Sequence, residues 1–223
     1  CGLASLIIFY LAMFAIIFYT LFSHHHEKIK PLRHFAAPHN KLIKQLAAIG
    51  IPIGLAIFVE TSLFCVIALL IARLGADAVA AHQIALNVSS LLFMVPLSLA
   101  LALTVRVGQE LGKNDSEYAK TVWQNALLVN LILSTFNASL LLIFKDAIVS
   151  IYSSDTAVVG LATHLLLFAA LYQLSDGLQV GAAGALRGYK DTLVTLLLTI
   201  ISFWLIGLPL GYYLGLSQSA PLG

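Results

Sequence analysis

Charged residues are scarce in this sequence, and several classes of protein are excluded for that reason. Only 10% of its 223 residues are Asp, Glu, Lys or Arg, while 60% are hydrophobic. Soluble domains carry about 25% charged residues, and a mean hydropathy of +0.96 argues against a water-soluble globular protein. So much apolar surface also excludes intrinsic disorder. The net charge of +2 is too small to favour a nucleic-acid partner.

Cysteine pairs and catalytic motifs are missing as well. The two cysteines, Cys1 and Cys65, lie far apart and support neither a disulfide framework nor a zinc site. The sequence contains no nucleophile elbow, no Walker A loop and no H-E-x-x-H motif. We therefore expect neither an enzyme activity nor a cofactor.

Long apolar runs are what the sequence does contain. A bilayer core of about 30 Å needs about 20 helical residues, and six stretches are long enough: 3–22, 46–72, 79–105, 118–144, 157–186 and 193–216. They are apolar nearly all round, whereas soluble helices keep a polar outer face. The sequence thus predicts an all-α polytopic membrane bundle with six transmembrane helices. Because the chain starts inside an apolar run and ends without a polar tail, we expect it to be part of a longer protein.

The positive charges predict the orientation of these helices. Segment 23–45 carries five Lys or Arg residues, and ten of the twelve in the chain fall on the same side of the predicted spans as this segment. Since positive loops stay in the cytoplasm, we expect segment 23–45 inside and both chain ends outside a bacterial inner membrane. Its three histidines, His24, His25 and His26, could bind a metal, although a solvated linker is the simpler interpretation.

Two acids lie inside the predicted spans. Glu60 is near the middle of 46–72, and Asp176 lies past the middle of 157–186. An ionisable group at mid-bilayer costs about 2.5–3.5 kcal/mol on insertion scales and is a functional hypothesis by default. No Lys or Arg lies at a similar depth in the sequence, so we expect no protein counter-charge. Such a pair favours a proton or a bound cation, although protonated acids hydrogen-bonded between helices remain an alternative.

Polar residues around Asp176 extend this candidate site. Tyr172, Gln173 and Gln179 lie within one helical turn of it, and their hydroxyl and amide oxygens suit Na+ or a proton relay. Two further polar stripes follow helical spacing and could pack helices together or line a cavity; they consist of Gln83, Asn87 and Ser90, and of Asn130, Ser134 and Asn137.

Small residues and prolines indicate where helices pack closely or bend. Glycines line the fifth span and permit close packing or flexing; they are Gly177, Gly181, Gly184 and Gly188. Prolines inside spans should bend or loosen their helices; they are Pro52, Pro96 and Pro209.

Three long segments carry a family resemblance. They read IPIGLAIFVETSLFCVIALLIARLG (51–75), AVAAHQIALNVSSLLFMVPLSLALALTVRVGQELG (78–112) and LYQLSDGLQVGAAGALRGYKDT (171–192). They resemble multidrug and toxic compound extrusion (MATE) transporters of the bacterial NorM type, and the similarity covers nearly the whole chain. This resemblance implies part of a twelve-helix fold with two six-helix lobes.

The resemblance also implies a division of the chain. Residues 1–22 would be the last helix of the N-terminal lobe, and 23–45 the cytoplasmic inter-lobe loop. Residues 46–223 would form the C-terminal lobe without its last helix.

The resemblance implies a function and three site residues. The family exports cationic lipophilic drugs and dyes in exchange for Na+ or H+. Its NorM-type members use a glutamate in the seventh helix and a tyrosine and an aspartate in the tenth as a cation site. In this sequence Glu60, Tyr172 and Asp176 match those positions and would bind Na+ if coupling is to sodium. The implied partners are small cationic drugs and the lipid bilayer, and the full-length chain would work as a monomer.

Other functions are less compatible with the residues. A lipid-linked oligosaccharide flippase of the same broad superfamily should carry cations in its cavity to bind pyrophosphate, whereas the charges here are acidic. A channel needs a filter-like segment or a symmetric oligomer. An intramembrane enzyme would need Glu60 and Asp176 as a water-accessible dyad, which sequence cannot establish.

Overall fold

The computed structural model describes residues 2–22 and 38–216, and every described element is helical. α1 spans Gly2–Phe22 and α2 spans Asn40–Ile71, which a short 3-10 turn at Ala72–Leu74 follows. α3 is Ala76–Gly112, α4 is Ser116–Tyr152 and α5 is Thr156–Gly188. The last span consists of α6 (Thr192–Thr199), a π-helical segment (Ile200–Gly207) and α7 (Leu208–Leu216).

Six helices in the described ranges are long and apolar enough to cross a membrane, which confirms the predicted bundle. Several exceed the predicted spans: α3 and α4 have 37 residues each, about 55 Å at roughly 1.5 Å per residue. α2 begins at Asn40, so the last six residues of the predicted loop 23–45 are helical. The three histidines of that loop lie outside the described residues.

Local sequence sets the helix ends. Gly75 has φ of 105°, a conformation open to glycine and costly for other residues, and it separates the turn after α2 from α3. The side chain of Asp115 accepts a hydrogen bond from the Tyr118 amide at 2.9 Å and caps α4. Asp155 caps α5 in the same way through the Ala157 amide at 2.8 Å.

The chain divides into two units, Cys1–Gln45 and Leu46–Gly223. In the second unit α3, α4 and α5 pack against one another and bury most of the core. α3 runs parallel to α5, because Ala100 and Val107 of α3 face Gly184 and Gly188 of α5 in the same order. α4 is antiparallel to both.

Glycines make this three-helix contact possible, which confirms close packing of the fifth span. A Cβ at Gly184 would lie 2.6 Å from the Ala100 carbonyl oxygen, and the Thr104 hydroxyl donates to the Gly184 carbonyl at 2.8 Å. On the other side, a Cβ at Gly181 would lie 2.8 Å from Nδ2 of Asn130. The backbones therefore approach more closely than any larger residue would allow.

The predicted loosening of helices at prolines is seen before Pro209. α2 and α3 remain helical through Pro52 and Pro96. The irregularity lies instead in the last span, predicted as one helix, where Ile200–Gly207 is π-helical. Pro209 has no N–H and its ring crowds the carbonyl one turn earlier, and wider preceding turns relieve that crowding. Gly207 permits them, because a Cβ there would lie 2.9 Å from the Ser202 carbonyl oxygen.

Candidate functional site

The first acid of the site, Glu60, lies on α2 inside a membrane-spanning stretch. Its side chain is half-buried within the second unit. The neighbouring hydroxyls do not bind it: Thr61 donates to the Ile57 carbonyl and Ser62 to the Val59 carbonyl, each at 2.8 Å. Neither of these two hydroxyls therefore hydrogen-bonds to the Glu60 carboxyl.

The second acid, Asp176, lies on α5 and is also half-buried. Asp176 on α5 and Glu60 on α2 lie within the range at which the charge of one acts on the other. Tyr172 is one turn before Asp176 on the same helix, but its side chain is 48% exposed. Among the described residues, no group of three or more His, Cys, Asp or Glu could hold a metal ion. What the site presents is two carboxyls with a nearby phenol, a set of hard oxygens compatible with a proton or Na+.

Arg187 lies half-buried in the last turn of α5, within electrostatic range of Glu60. None of the ion pairs among the described residues joins Arg187 to Glu60 or Asp176.

The neighbouring polar residues of the predicted site separate into buried and exposed ones. Gln173 is 1% exposed and faces the helix interface, whereas Gln179 and Gln83 are exposed. Asn87 is exposed too, and its Oδ1 accepts a hydrogen bond from the Tyr152 hydroxyl at 2.8 Å, which joins α3 to α4.

The stripe on α4 packs helices together. Asn130 donates to the Gly177 carbonyl at 2.5 Å, and Asn137 donates to the Leu92 carbonyl at 3.2 Å. Ser134 is fully buried against Gly177. The helix-packing interpretation of this stripe is thus confirmed.

Trp204 is a residue near the site that the sequence did not single out. It belongs to the π-helical segment, and its indole N–H donates to the Val59 carbonyl at 3.1 Å, one residue before Glu60. Since π-helical turns concentrate at functional sites, the Pro209 and Gly207 signals could have drawn attention to this segment.

Known proteins similar to this chain agree with the fold. It is 44% identical over 218 residues to the multidrug resistance protein MdtK of Photorhabdus laumondii, covering 98% of this chain and 48% of that protein. With MdtK of Proteus mirabilis the identity is 46% over 215 residues, covering 96% and 47%. The chain thus spans about half the length of the curated relatives it matches.

A solved structure has the same fold. It is a MOP superfamily transporter from Pyrococcus furiosus, with a TM-score of 0.63 at 18% identity, covering 79% of this chain and 46% of that one. At that identity the likeness concerns the fold alone.

A family model identifies the chain. The MatE model matches residues 52–213, the part that contains Glu60, Asp176 and the packed bundle. Since this is well over half of the sequence, the chain belongs to the MatE family, the MATE transporters that its sequence resembles.

Proposed function

We propose that this chain is part of a cation-coupled antiporter that exports cationic lipophilic drugs and dyes. The observation that carries this proposal is the presence of two half-buried acids, Glu60 and Asp176, inside two membrane-spanning helices. Drug export is also supported by membership of the MatE family and by sequence identity to proteins named for multidrug resistance. The protein would transport its substrates without transforming them.

The charge of the site favours cations. With both acids ionised, the two carboxylates give the site a negative charge. A lipid-linked pyrophosphate would be repelled by such a site, so the flippase alternative receives no support from it. Na+ or H+ would occupy Glu60 and Asp176, with Tyr172 as a further oxygen ligand.

The exchange follows from differential affinity. A ligand shifts a conformational equilibrium only as far as its affinities for the two states differ. In the outward-facing state the carboxyls take up the coupling ion, which shifts the transporter toward drug release. A cytoplasmic drug then favours the return.

The division of the chain is part of this proposal. Residues 1–22 would be the last helix of the first lobe, 23–45 the cytoplasmic connection and 46–223 the second lobe. The full-length transporter would work as a monomer in the inner membrane.

The test is dye efflux from proteoliposomes that contain the full-length transporter. We expect a Na+ gradient or a pH gradient, imposed separately, to accelerate efflux of ethidium. Acceleration by Na+ alone would assign a sodium site, and acceleration by the pH gradient alone would make the acids proton carriers. Ethidium efflux that neither gradient accelerates would overturn the antiporter proposal.

The orientation has its own test. Two cysteine variants are made in a protein without native thiols: Ser116→Cys at the exposed first residue of α4, and Ser154→Cys in the exposed turn after α4. We expect a membrane-impermeant maleimide added to whole cells to label Ser154→Cys and not Ser116→Cys. The count of Lys and Arg residues predicts that Ser154 lies outside the membrane and Ser116 on the cytoplasmic side. The reverse labelling pattern would contradict the orientation.

A further inference from the structure

The helix that carries Glu60 is lightly packed. The buried residues of α2 are Ala56 and Leu63. Val59 and Glu60 lie between them at helical spacing and are half-buried. Among the described residues, one hydrogen bond joins α2 to another helix: the Trp204 indole N–H donates to the Val59 carbonyl at 3.1 Å. This bond is therefore the polar link between the face of α2 that carries Glu60 and the rest of the bundle.

The bond from Trp204 reaches the peptide unit to which Glu60 belongs. The Val59 carbonyl and the Glu60 N–H form one planar unit that includes the Glu60 Cα. A donor held on the Val59 oxygen therefore restrains the backbone of Glu60. The Ser62 hydroxyl donates to the same oxygen at 2.8 Å. Inside a bilayer no water replaces a lost partner of the indole N–H, which favours keeping the bond.

The π-helical segment determines how Trp204 is presented to α2. The Leu208 N–H donates to the Phe203 carbonyl, five residues earlier, so the turn is one residue larger than an α-helical turn. Side chains in such a turn point in directions that an α-helix would not give them. Pro209 has no N–H to continue the pattern to the Trp204 carbonyl. Trp204 thus lies where the wide turns stop.

We propose that Trp204 is a positioning residue of the coupling site: its indole holds the Val59–Glu60 peptide and so directs the Glu60 carboxyl to the coupling ion. The proposal rests on the proposed function, because it takes Glu60 as a ligand of that ion. Without the indole N–H, the lightly packed α2 is free to rotate. The carboxyl then occupies its binding position for a smaller fraction of the time, which lowers the apparent affinity for the ion in proportion.

The first arm of the test measures the concentration of the driving cation, Na+ or H+, that gives half-maximal ethidium efflux by the full-length transporter. Trp204→Phe keeps an aromatic ring and removes the N–H, and it should raise this concentration about five-fold, the effect of one ordinary hydrogen bond. The matched control is Trp123→Phe, the same change in a residue that packs against the core of α3, α4 and α5. It should leave the concentration unchanged.

A half-maximal concentration does not depend on the amount of folded protein, so a partial loss of folding would not imitate the effect. An unchanged value in Trp204→Phe, or an equal rise in Trp123→Phe, would overturn the proposal.

A second variant displaces Trp204 without replacing it. A Cβ at Gly207 would lie 2.9 Å from the Ser202 carbonyl oxygen, so Gly207→Ala disturbs the π-helical segment. We expect it to raise the half-maximal concentration, as Trp204→Phe does. Gly211→Ala in the same span meets nothing within 4 Å and should match the parent. A parental value in Gly207→Ala would contradict the role of the π-helical segment.

The last arm needs no transport. The full-length transporter is labelled with isotope-enriched tryptophan for NMR in detergent, and the Trp204 indole N–H resonance is identified as the one absent from Trp204→Phe. We expect added NaCl or acid to shift this resonance in the parent and not in Glu60→Gln. A resonance that stays in place in a transporter with ion-driven efflux, or a shift that persists in Glu60→Gln, would overturn the positioning role alone. A shift that requires Glu60, in a protein without ion-driven efflux, would mean that the proposed function had failed while the link between Trp204 and Glu60 stood.

Discussion

Replacing Asp176 by asparagine, or Glu60 by glutamine, is expected to reduce ion-driven ethidium efflux to the level of empty proteoliposomes. Each change keeps the shape of the side chain and removes the group that takes up a proton or a cation. Because each acid is half-buried inside a membrane-spanning helix, we expect that neither replaces the other: a single carboxyl would have to bind the ion without the second one. Both the charge balance and the ligand number of the site change in each variant.

Membrane insertion should survive both changes. An amide is less costly in the membrane than an ionised carboxylate, and neither acid holds a helix end. The matched control is Asp146→Asn, which neutralises an exposed acid beside Lys145 at the end of α4 and should transport at the parental rate. Parental efflux in either Asp176→Asn or Glu60→Gln would remove these residues from the coupling site.

Gly184→Ala is expected to destabilise the bundle. Its Cβ would lie 2.6 Å from the Ala100 carbonyl oxygen and 3.1 Å from the Ala100 Cα. The obstacle is backbone, which cannot rotate away, so α3 and α5 must separate. That separation also lengthens the bond from the Thr104 hydroxyl to the Gly184 carbonyl, now 2.8 Å. Overpacking of this kind costs about 1–3 kcal/mol of the free energy of unfolding.

Gly160→Ala supplies the matched control on the same helix. A Cβ at Gly160 meets nothing within 4 Å, and alanine favours a helix over glycine by about 1 kcal/mol. We therefore expect thermal unfolding in detergent to occur at a lower temperature for Gly184→Ala and at an unchanged or higher one for Gly160→Ala. Equal unfolding temperatures for the two variants would contradict the packing of α3 on α5.

Much of the candidate site could be predicted because membrane insertion penalises charge at each position separately. Glu60 and Asp176 stand out in apolar runs whatever surrounds them, and their resemblance to family positions points to the same residues. Which side chain around Asp176 is buried could not be predicted, because it depends on the rotation of α5. Gln173 is buried, whereas Tyr172, the neighbouring residue, is 48% exposed.

The sequence by itself determined the membrane class, the six spans and the two acids, since hydropathy and charge act on each segment alone. Only the tertiary structure decided that Trp204 binds the backbone beside Glu60 and that Gly184 sets the distance between α3 and α5. The physical reason is that these contacts join residues 80 to 145 positions apart in the chain. Residues that are distant in the chain meet because of the rotation of the helices and the π-helical turn. A pattern of hydropathy along the sequence does not predict either of these.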